Sequence, residues 1–277
     1  MELILLNIGL AVHHADWNYK NVNSPFARIY LVTEGAAKLH LPECTYHLQP
    51  GHLYLIPPFT RHSYECDAFF SLYYIHIYEE PSPNRRILED LIYPVELKAT
   101  HTDCLQVKRL AQINPGRELK QYDPSAYDNT PQLMQNINLH GQNPLHIIME
   151  TKGILFQLLS RFLEHAKDKY TTTDTRIRKT IRYIRKNIEK RITMEELTSI
   201  CFISKDHFIR LFKKEMQITP VQYIHQKKIE RAQLMLTTSN QAIKDIAYSL
   251  SFDNVYYFNR VFKRITGITP SEYKNNL

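Results

Sequence analysis

The chain has 277 residues, 43% hydrophobic and 23% charged, with a formal net charge of +7. These proportions are those of a folded globular protein, and the 7 glycines and 14 prolines exclude collagen-like and low-complexity chains. Its four cysteines (Cys44, Cys66, Cys104, Cys201) are scattered without a CxxC pair, so neither a disulfide framework nor a cysteine-built zinc site is implied.

The opening stretch, MELILLNIGLAVHHADWNYK, has an apolar run without a basic flank or a small-residue cleavage site, and reads as mature protein. No run reaches the ~18 apolar residues of a membrane span, and a cytoplasmic location is expected. From Phe26 to Glu80 short alternating runs follow one another: FARIYLV, AAKLHL, TYHL, HLYLI and FFSLYYIHIY. Turn formers separate them at Glu34-Gly35, Pro42-Glu43, Gln49-Pro50-Gly51 and Pro57-Pro58. Strands of this length with such punctuation predict an antiparallel sandwich or barrel.

Residues 83–143 are mixed and polar and predict little. From Pro144 to His165, Leu145, Ile148, Met149, Leu155, Leu158, Leu159 and Phe162 recur at helical spacing. This stripe suits either a seam with a second chain or packing on the chain's own barrel, and Lys152 interrupts it. Residues 166–175 then read as a polar linker.

The last third is helical in period and basic. After position 175 there are 20 Lys/Arg and 9 Asp/Glu, whereas the first 175 residues hold 15 and 19. A basic module on a slightly acidic body points to a polyanionic partner. Within it Ser204–Tyr223 and Asn254–Tyr273 repeat at an offset of 50. Phe208/Phe258, Arg210/Arg260, Phe212/Phe262, Lys213/Lys263, Ile218/Ile268, Thr219/Thr269, Pro220/Pro270 and Tyr223/Tyr273 are identical. Eight matches in twenty mean that one unit is used twice.

Each copy reads as a short helix (Met194–Cys201, Ile243–Leu250), a turn, and a second helix starting near Lys205 or Val255. In the second helix Phe208, Leu211 and Phe212, or Phe258, Val261 and Phe262, form the inward stripe. The outward face is polar and basic, the helix-turn-helix arrangement that seats a helix in the major groove. Ile-Thr-Pro ends each second helix and starts the next, so Pro220–Leu236 becomes a long joining helix. Two units on such a strut are expected to meet adjacent major grooves, ~34 Å apart.

Residue type assigns candidate contacts. Asp206, Ile209 and Arg210 in the first copy, and Val255, Tyr256, Asn259 and Arg260 in the second, suit base edges. Asp206 would accept from cytosine and Asn259 would pair with adenine, while Ile209, Val255 and Tyr256 would touch thymine methyls. Arg210 and Arg260 suit guanine, phosphate, or an ion pair with a neighbouring helix. Lys205, Lys213, Lys263 and Arg264 suit phosphates.

In RLFKKEMQITPVQYI, KKIERAQLML and IAYSLSFDNVYYFNRVFKRITGITPSEYK the chain resembles the AraC/XylS family of transcription regulators, over Ile177 to Tyr273. It departs at Ser251, where the family usually has glycine, and at Thr198, where it usually has alanine. The first half is similar to that family's usual sensor, since GHLYLIPPFTRH resembles the second cupin motif with Phe59 in place of a glycine.

The resemblance implies a multi-domain chain. Residues 1–165 form an all-β cupin-like (jelly-roll) barrel with flanking helices, a ligand-sensing and dimerisation domain. Residues 176–277 form an all-α DNA-binding domain with two helix-turn-helix units joined by a long helix. Expected partners are promoter DNA, a small-molecule effector, a second copy of the chain and RNA polymerase, with no membrane partner. Activation is expected rather than repression.

Metal cupins need an HxH pair, a carboxylate and a further histidine; ahead of the GHLYLIPPFTRH motif that ends on His62 the predicted strands offer only His40 and His47, with no HxH, so no metal and no cofactor is assigned. There is no GxSxG, Gly-rich phosphate loop or HExxH, so no catalytic residue is assigned. The barrel's aromatic load suits a sugar or another small, flat polar ligand as well as it suits core. Trp17, His62, Tyr64, Tyr74 and His76 are the ligand candidates. Strand alternation places Phe70, Leu72, Tyr74 and His76 on one face and Phe69, Tyr73, Ile75 and Ile77 on the other, without saying which faces a pocket. The competing readings are a cupin-type metalloenzyme fused to a DNA-binding domain and a ligand-independent dimeric regulator.

Overall fold

The computed structural model describes residues 2–80, 87–169, 172, 174–239 and 241–275. They divide into two compact units, the first ending at Lys167 and the second beginning at Asp168.

The first unit is an antiparallel sandwich. Strands β1 (Leu3–His14), β2 (Ala27–Gly35), β3 (Ala37–His40), β4 (Thr45–Leu48), β5 (His52–Ile56), β6 (Ser63–Glu65) and β7 (Phe69–Glu79) are followed by helix α1 (Ile87–Asp90) and strands β8 (Leu91–Ile92) and β9 (Glu96–Lys98). The large sheet runs β1-β7-β2-β5-β9 and the small one β4-β3-β6. Gly35 (φ +73°) closes β2 where a Cβ would lie 2.0 Å from the Phe69 carbonyl oxygen, so no other residue fits that turn. Phe59 (φ +57°), in the place of the cupin glycine, takes the left-handed conformation glycine would have taken.

Helices α2 (His101–Ile113), α3 (Pro124–Tyr127), α4 (Thr130–Gln142) and α5 (Leu145–Leu163) complete the unit. One face of the large sheet (Leu5, Ile29, Leu55, Ile75, Ile77) packs against Val107 and Leu110 of α2 and Leu155, Leu158, Leu159 and Phe162 of α5. The α5 stripe therefore packs on its own sheet along its C-terminal half, while Leu145 and Met149, expected in the same stripe, are 71% and 67% exposed. Lys152 forms an ion pair with Glu2. The other face of the sheet meets the small sheet around a second core of Trp17, Tyr30, Leu39, Tyr54, Tyr64, Phe70, Leu72 and Tyr74.

The expected 166–175 linker is described in part, between α5 and the helix that starts at Thr175. Lys167–Asp168 are extended, and Asp174 caps the next helix by accepting from the Arg176 amide; residues 170, 171 and 173 lie outside the described residues.

The second unit is all-helical: α6 (Thr175–Lys186), α7 (Met194–Cys201), α8 (Lys205–Met216), α9 (Pro220–Thr238), α10 (Ile243–Ser249), α11 (Val255–Thr266) and α12 (Pro270–Asn275). The repeated threonine accepts from the third residue of the next helix in both copies, Thr219 from the Gln222 amide and Thr269 from the Glu272 amide. The repeated aromatics make the same contacts twice. Phe208 and Phe212 lie 5.7 Å apart, as do Phe258 and Phe262; Phe212–Tyr223 is 5.9 Å and Phe262–Tyr273 5.6 Å, both edge to face. Each set centres its own small core.

The copies differ at one cap. Helix α11 ends on Gly267 (φ +85°), whereas α8 ends on Gln217 in the same left-handed conformation (φ +59°). Gln217→Gly is expected to raise stability by about 0.5–1 kcal/mol, the left-handed penalty less the extra chain entropy of glycine. Calorimetric unfolding checks this, and an unchanged or lower midpoint would contradict it.

Candidate nucleic-acid interface and effector lumen

Both second helices are held by buried inward residues, so their outer faces are fixed in rotation. On α8, Lys205, Asp206, Arg210, Lys213 and Lys214 are exposed. On α11, Tyr256 (87% exposed), Arg260, Lys263 and Arg264 are exposed, and the Arg260 guanidinium lies 5.3 Å from the centre of the Tyr257 ring. The remaining candidates sit less openly. Ile209 and Val255 are half-buried against the two small cores. Asn259 is half-buried with its Oδ1 enclosed and unpaired, so a bidentate adenine contact requires that side chain to turn outward.

The turns before these helices take left-handed residues that are not glycine. Phe202 (φ +52°) projects with 93% exposure, and Ser251 (φ +54°) holds the second turn in the place of the family glycine. The Ser251 hydroxyl donates to the Glu189 carbonyl at 2.7 Å.

The joining helix ties the two copies together. Lys228 is buried on α9; its Nζ donates to the carbonyls of Lys190, ahead of α7, and Leu250, at the end of α10, at 3.1 and 2.5 Å. It also lies 5.5 Å from the centre of the Phe252 ring. Burial lowers its pKa to about 8. Arg231, one turn on, pairs with Glu189 at 2.8 Å. These bonds anchor the segment before α7 and the end of α10 to one helix, which fixes the spacing of the two outward faces.

In the first unit the ligand candidates Trp17, His62, Tyr64, Tyr74 and His76 are all buried. The lumen face of β7 carries Phe70, Leu72, Tyr74 and His76, which resolves the alternation left open by sequence. Trp17 stacks on Tyr64 with ring centres 4.0 Å apart. His62 is oriented by two bonds: Nδ1–H donates to the Thr60 carbonyl at 2.7 Å and Nε2 accepts from the Tyr64 hydroxyl at 2.6 Å. The Tyr64 oxygen then accepts from Tyr30 at 2.6 Å. Burial, with Arg28 nearby, lowers the His62 pKa to about 3, so the ring is neutral. Burial and Arg28 also hold His76 well below its ordinary value.

Sequence reasoning missed Arg28, only 1% exposed, which projects inward from β2 among Tyr30, Tyr64, Phe26 and Tyr127. A charged residue inside the otherwise apolar run FARIYLV was the available signal, because a buried charge is retained only where something pairs with it. It also missed the cap over the lumen, Leu119 to Asp128. There the Leu119 amide donates to the Tyr74 hydroxyl at 2.7 Å, Tyr127 stacks on His76 at 5.1 Å, and the Asp128 carboxylate lies 3.5 Å from Arg28. Beneath this cap the lumen retains about 20 Å³, room for about one water. Entry of a ligand therefore requires the cap to move.

Among the described residues, no three His, Cys, Asp or Glu side chains gather as a metal site, and no helix is long and apolar enough to cross a membrane.

Comparison with known proteins agrees with this division. Residues 7–113 match the AraC-like ligand binding domain and residues 197–276 match a helix-turn-helix domain. The MmsAB operon regulatory protein of Pseudomonas aeruginosa is 33% identical over 95 residues, 34% of this chain and 31% of that protein, so the chain spans about a third of its length. The lactose operon transcription activator of Staphylococcus xylosus is 19% identical over 275 residues, 97% of this chain and 90% of that protein. ToxT of Vibrio cholerae shares the two-part fold, with a TM-score of 0.52 at 16% identity, over 98% of this chain and 99% of that one.

Proposed function

Since this chain belongs to the AraC family of transcription regulators, we propose that it binds specific duplex DNA through α8 and α11 under the control of a small molecule taken into the lumen. The observation that carries this reading is the duplicated unit itself. Two helices with exposed basic outer faces are locked by matching aromatic cores and tied at fixed spacing by Lys228. That arrangement suits successive major-groove contacts on one face of DNA.

Arg210, Asp206, Tyr256 and Arg260 then read bases, while Lys205, Lys213, Lys263 and Arg264 hold phosphates. Ile209 and Val255 contribute only the edges they expose. The lumen takes a sugar or another small, flat polar molecule among Trp17, Tyr64, Tyr74, His62 and His76. Because entry displaces the cap, the ligand favours one state of the first unit, and DNA affinity changes only as far as the two states differ in ligand affinity.

The molecule works as a regulator rather than an enzyme, in the cytoplasm on promoter DNA. Activation is the sense suggested by the Staphylococcus relative's name. Exposed Leu145 and Met149 offer a second copy of the chain an apolar edge, and RNA polymerase is the partner an activator would engage.

Selection of bound duplex from a random pool at two salt concentrations tests the reading. A defined site with two elements is expected, and an unenriched pool would contradict it. On the selected site Arg210→Ala is expected to lose ~1–3 kcal/mol and to relax preference at one base position. Lys213→Ala is expected to weaken all sequences alike and to reduce the salt slope by about one. Uniform weakening by Arg210→Ala would place that residue on the backbone.

A further inference from the structure

We propose that the lumen ligand carries a carboxylate, which pairs side-on with Arg28 in the place that Asp128 occupies in the closed cap. This inference rests on the lumen being the effector site.

Arg28 is fully enclosed, yet its Nε and Nη2 have no hydrogen-bond partner. Those two nitrogens form one edge of the guanidinium fork, the edge that takes a planar carboxylate through two parallel bonds. Asp128 meets this edge only through a long ion pair, not a bidentate one. Its Oδ2 stands 3.5 Å from Nη2, beyond a good charge-assisted bond, and accepts from the Ser24 hydroxyl instead; its Oδ1 is buried and unpaired.

A pair kept for stability alone would close to bidentate geometry, because each buried, unsatisfied polar atom is costly. Arg28 and Asp128 leave three such atoms between them, and His76 Nδ1 close by is a fourth. The loose pair is what a self-supplied stand-in looks like: it neutralises the buried charge while remaining easy to displace. Around it, Tyr30, Tyr74 and Trp17 provide walls for a flat ligand body once Tyr127 and Tyr122 withdraw with the cap.

The test uses the full chain, read by thermal unfolding and by the emission of Trp17, the one tryptophan. Asp128→Ala deletes the stand-in carboxylate. Millimolar acetate is then expected to raise the midpoint of the variant by several degrees and to shift Trp17 emission saturably, whereas acetamide does neither. Adding Arg28→Gln is expected to abolish the response. If Asp128→Ala does not fold, the same titration on Asp128→Asn, which retains a partner for Ser24, carries the test.

No saturable response to acetate, an equal response to acetamide, or a response that survives Arg28→Gln would each overturn the assignment. On the unmodified chain, benzoate is compared with benzamide and galacturonate with galactose. Stabilisation by the neutral member of either pair as strong as by its acid would sink the carboxylate while leaving an effector lumen in place. The DNA selection described above is read separately, so the regulator reading fails or stands on its own result.

Discussion

Phe212→Ala is expected to remove most of the stability of the helical unit, and Phe262→Ala to do the same from the other copy. Each ring is fully buried at the centre of a small core and touches both the preceding phenylalanine and the tyrosine of the following helix. Truncating a buried phenylalanine costs ~3–5 kcal/mol, a large part of the ~5–15 kcal/mol available to a domain. For a unit of this size the helical unfolding midpoint should fall by roughly 15 °C or more.

Far-ultraviolet circular dichroism follows that transition, while Trp17 emission reports the first unit and should not move. Phe202→Ala is the contrast, since a ring with 93% exposure should change stability by no more than about 0.5 kcal/mol. Equal effects at Phe202 and Phe212 would mean that the inward face of α8 has been misassigned.

Acidification should destabilise the sandwich unit, and His62 should be a principal cause. Its folded-state pKa of about 3 lies below the ordinary histidine value, so between pH 6.5 and 3 the unfolded chain binds a proton that the native fold refuses. Stability is therefore full above pH 6.5 and falls as the pH drops. The loss from this residue is roughly 2 kcal/mol by pH 5 and approaches ~5 kcal/mol near pH 3, at 1.36 kcal/mol per unit.

The chemical reason is in the geometry: Nδ1–H is already donated to Thr60, and a proton on Nε2 would face the hydroxyl that Tyr64 donates. His76, also held low by burial, acts in the same direction. Asp128 opposes them. Burial raises its pKa to about 6 despite Arg28, so it adds stability on the acid side and loses it as the pH rises through 6. Comparing the native chain with His62→Phe at pH 7 and pH 5, by urea unfolding followed through Trp17, isolates the His62 share. The native chain should lose more stability than the variant over that interval, and equal losses would contradict the assignment.

The legibility of the sequence followed what each segment's periodicity could express. The helical unit was readable because the repeated residues are its structural ones: buried Phe208, Phe212 and Tyr223, capping Thr219 and their counterparts recur at one offset. The positions departing from glycine, Phe59 and Ser251, adopt the left-handed backbone that glycine would have supplied. Strand β1 was not readable as a strand, because Leu3 to Gly9 is buried on both faces and its residues therefore do not alternate. Helix α2 is polar enough to hide its period, though Thr100 and Asp103 form a capping box that signals its start.

For β7, both faces are apolar or aromatic, so alternation could not choose between them. Tyr74 and His76 face the lumen beside Phe70 and Leu72, where Leu119, Tyr122 and Tyr127 meet them, and Tyr73, Ile75 and Ile77 face the helices. Arg28 escaped notice because its partner in the cap lies a hundred positions away along the chain.

The central claim is that two recognition helices on one rigid body engage successive grooves. It is tested most directly by measuring affinity for the selected site before and after five base pairs are inserted between its two elements. Half a helical turn places the second element on the opposite face of the duplex, beyond a body whose spacing Lys228 fixes, so affinity should fall to that of a single element. Unchanged affinity across the insertion would contradict the account.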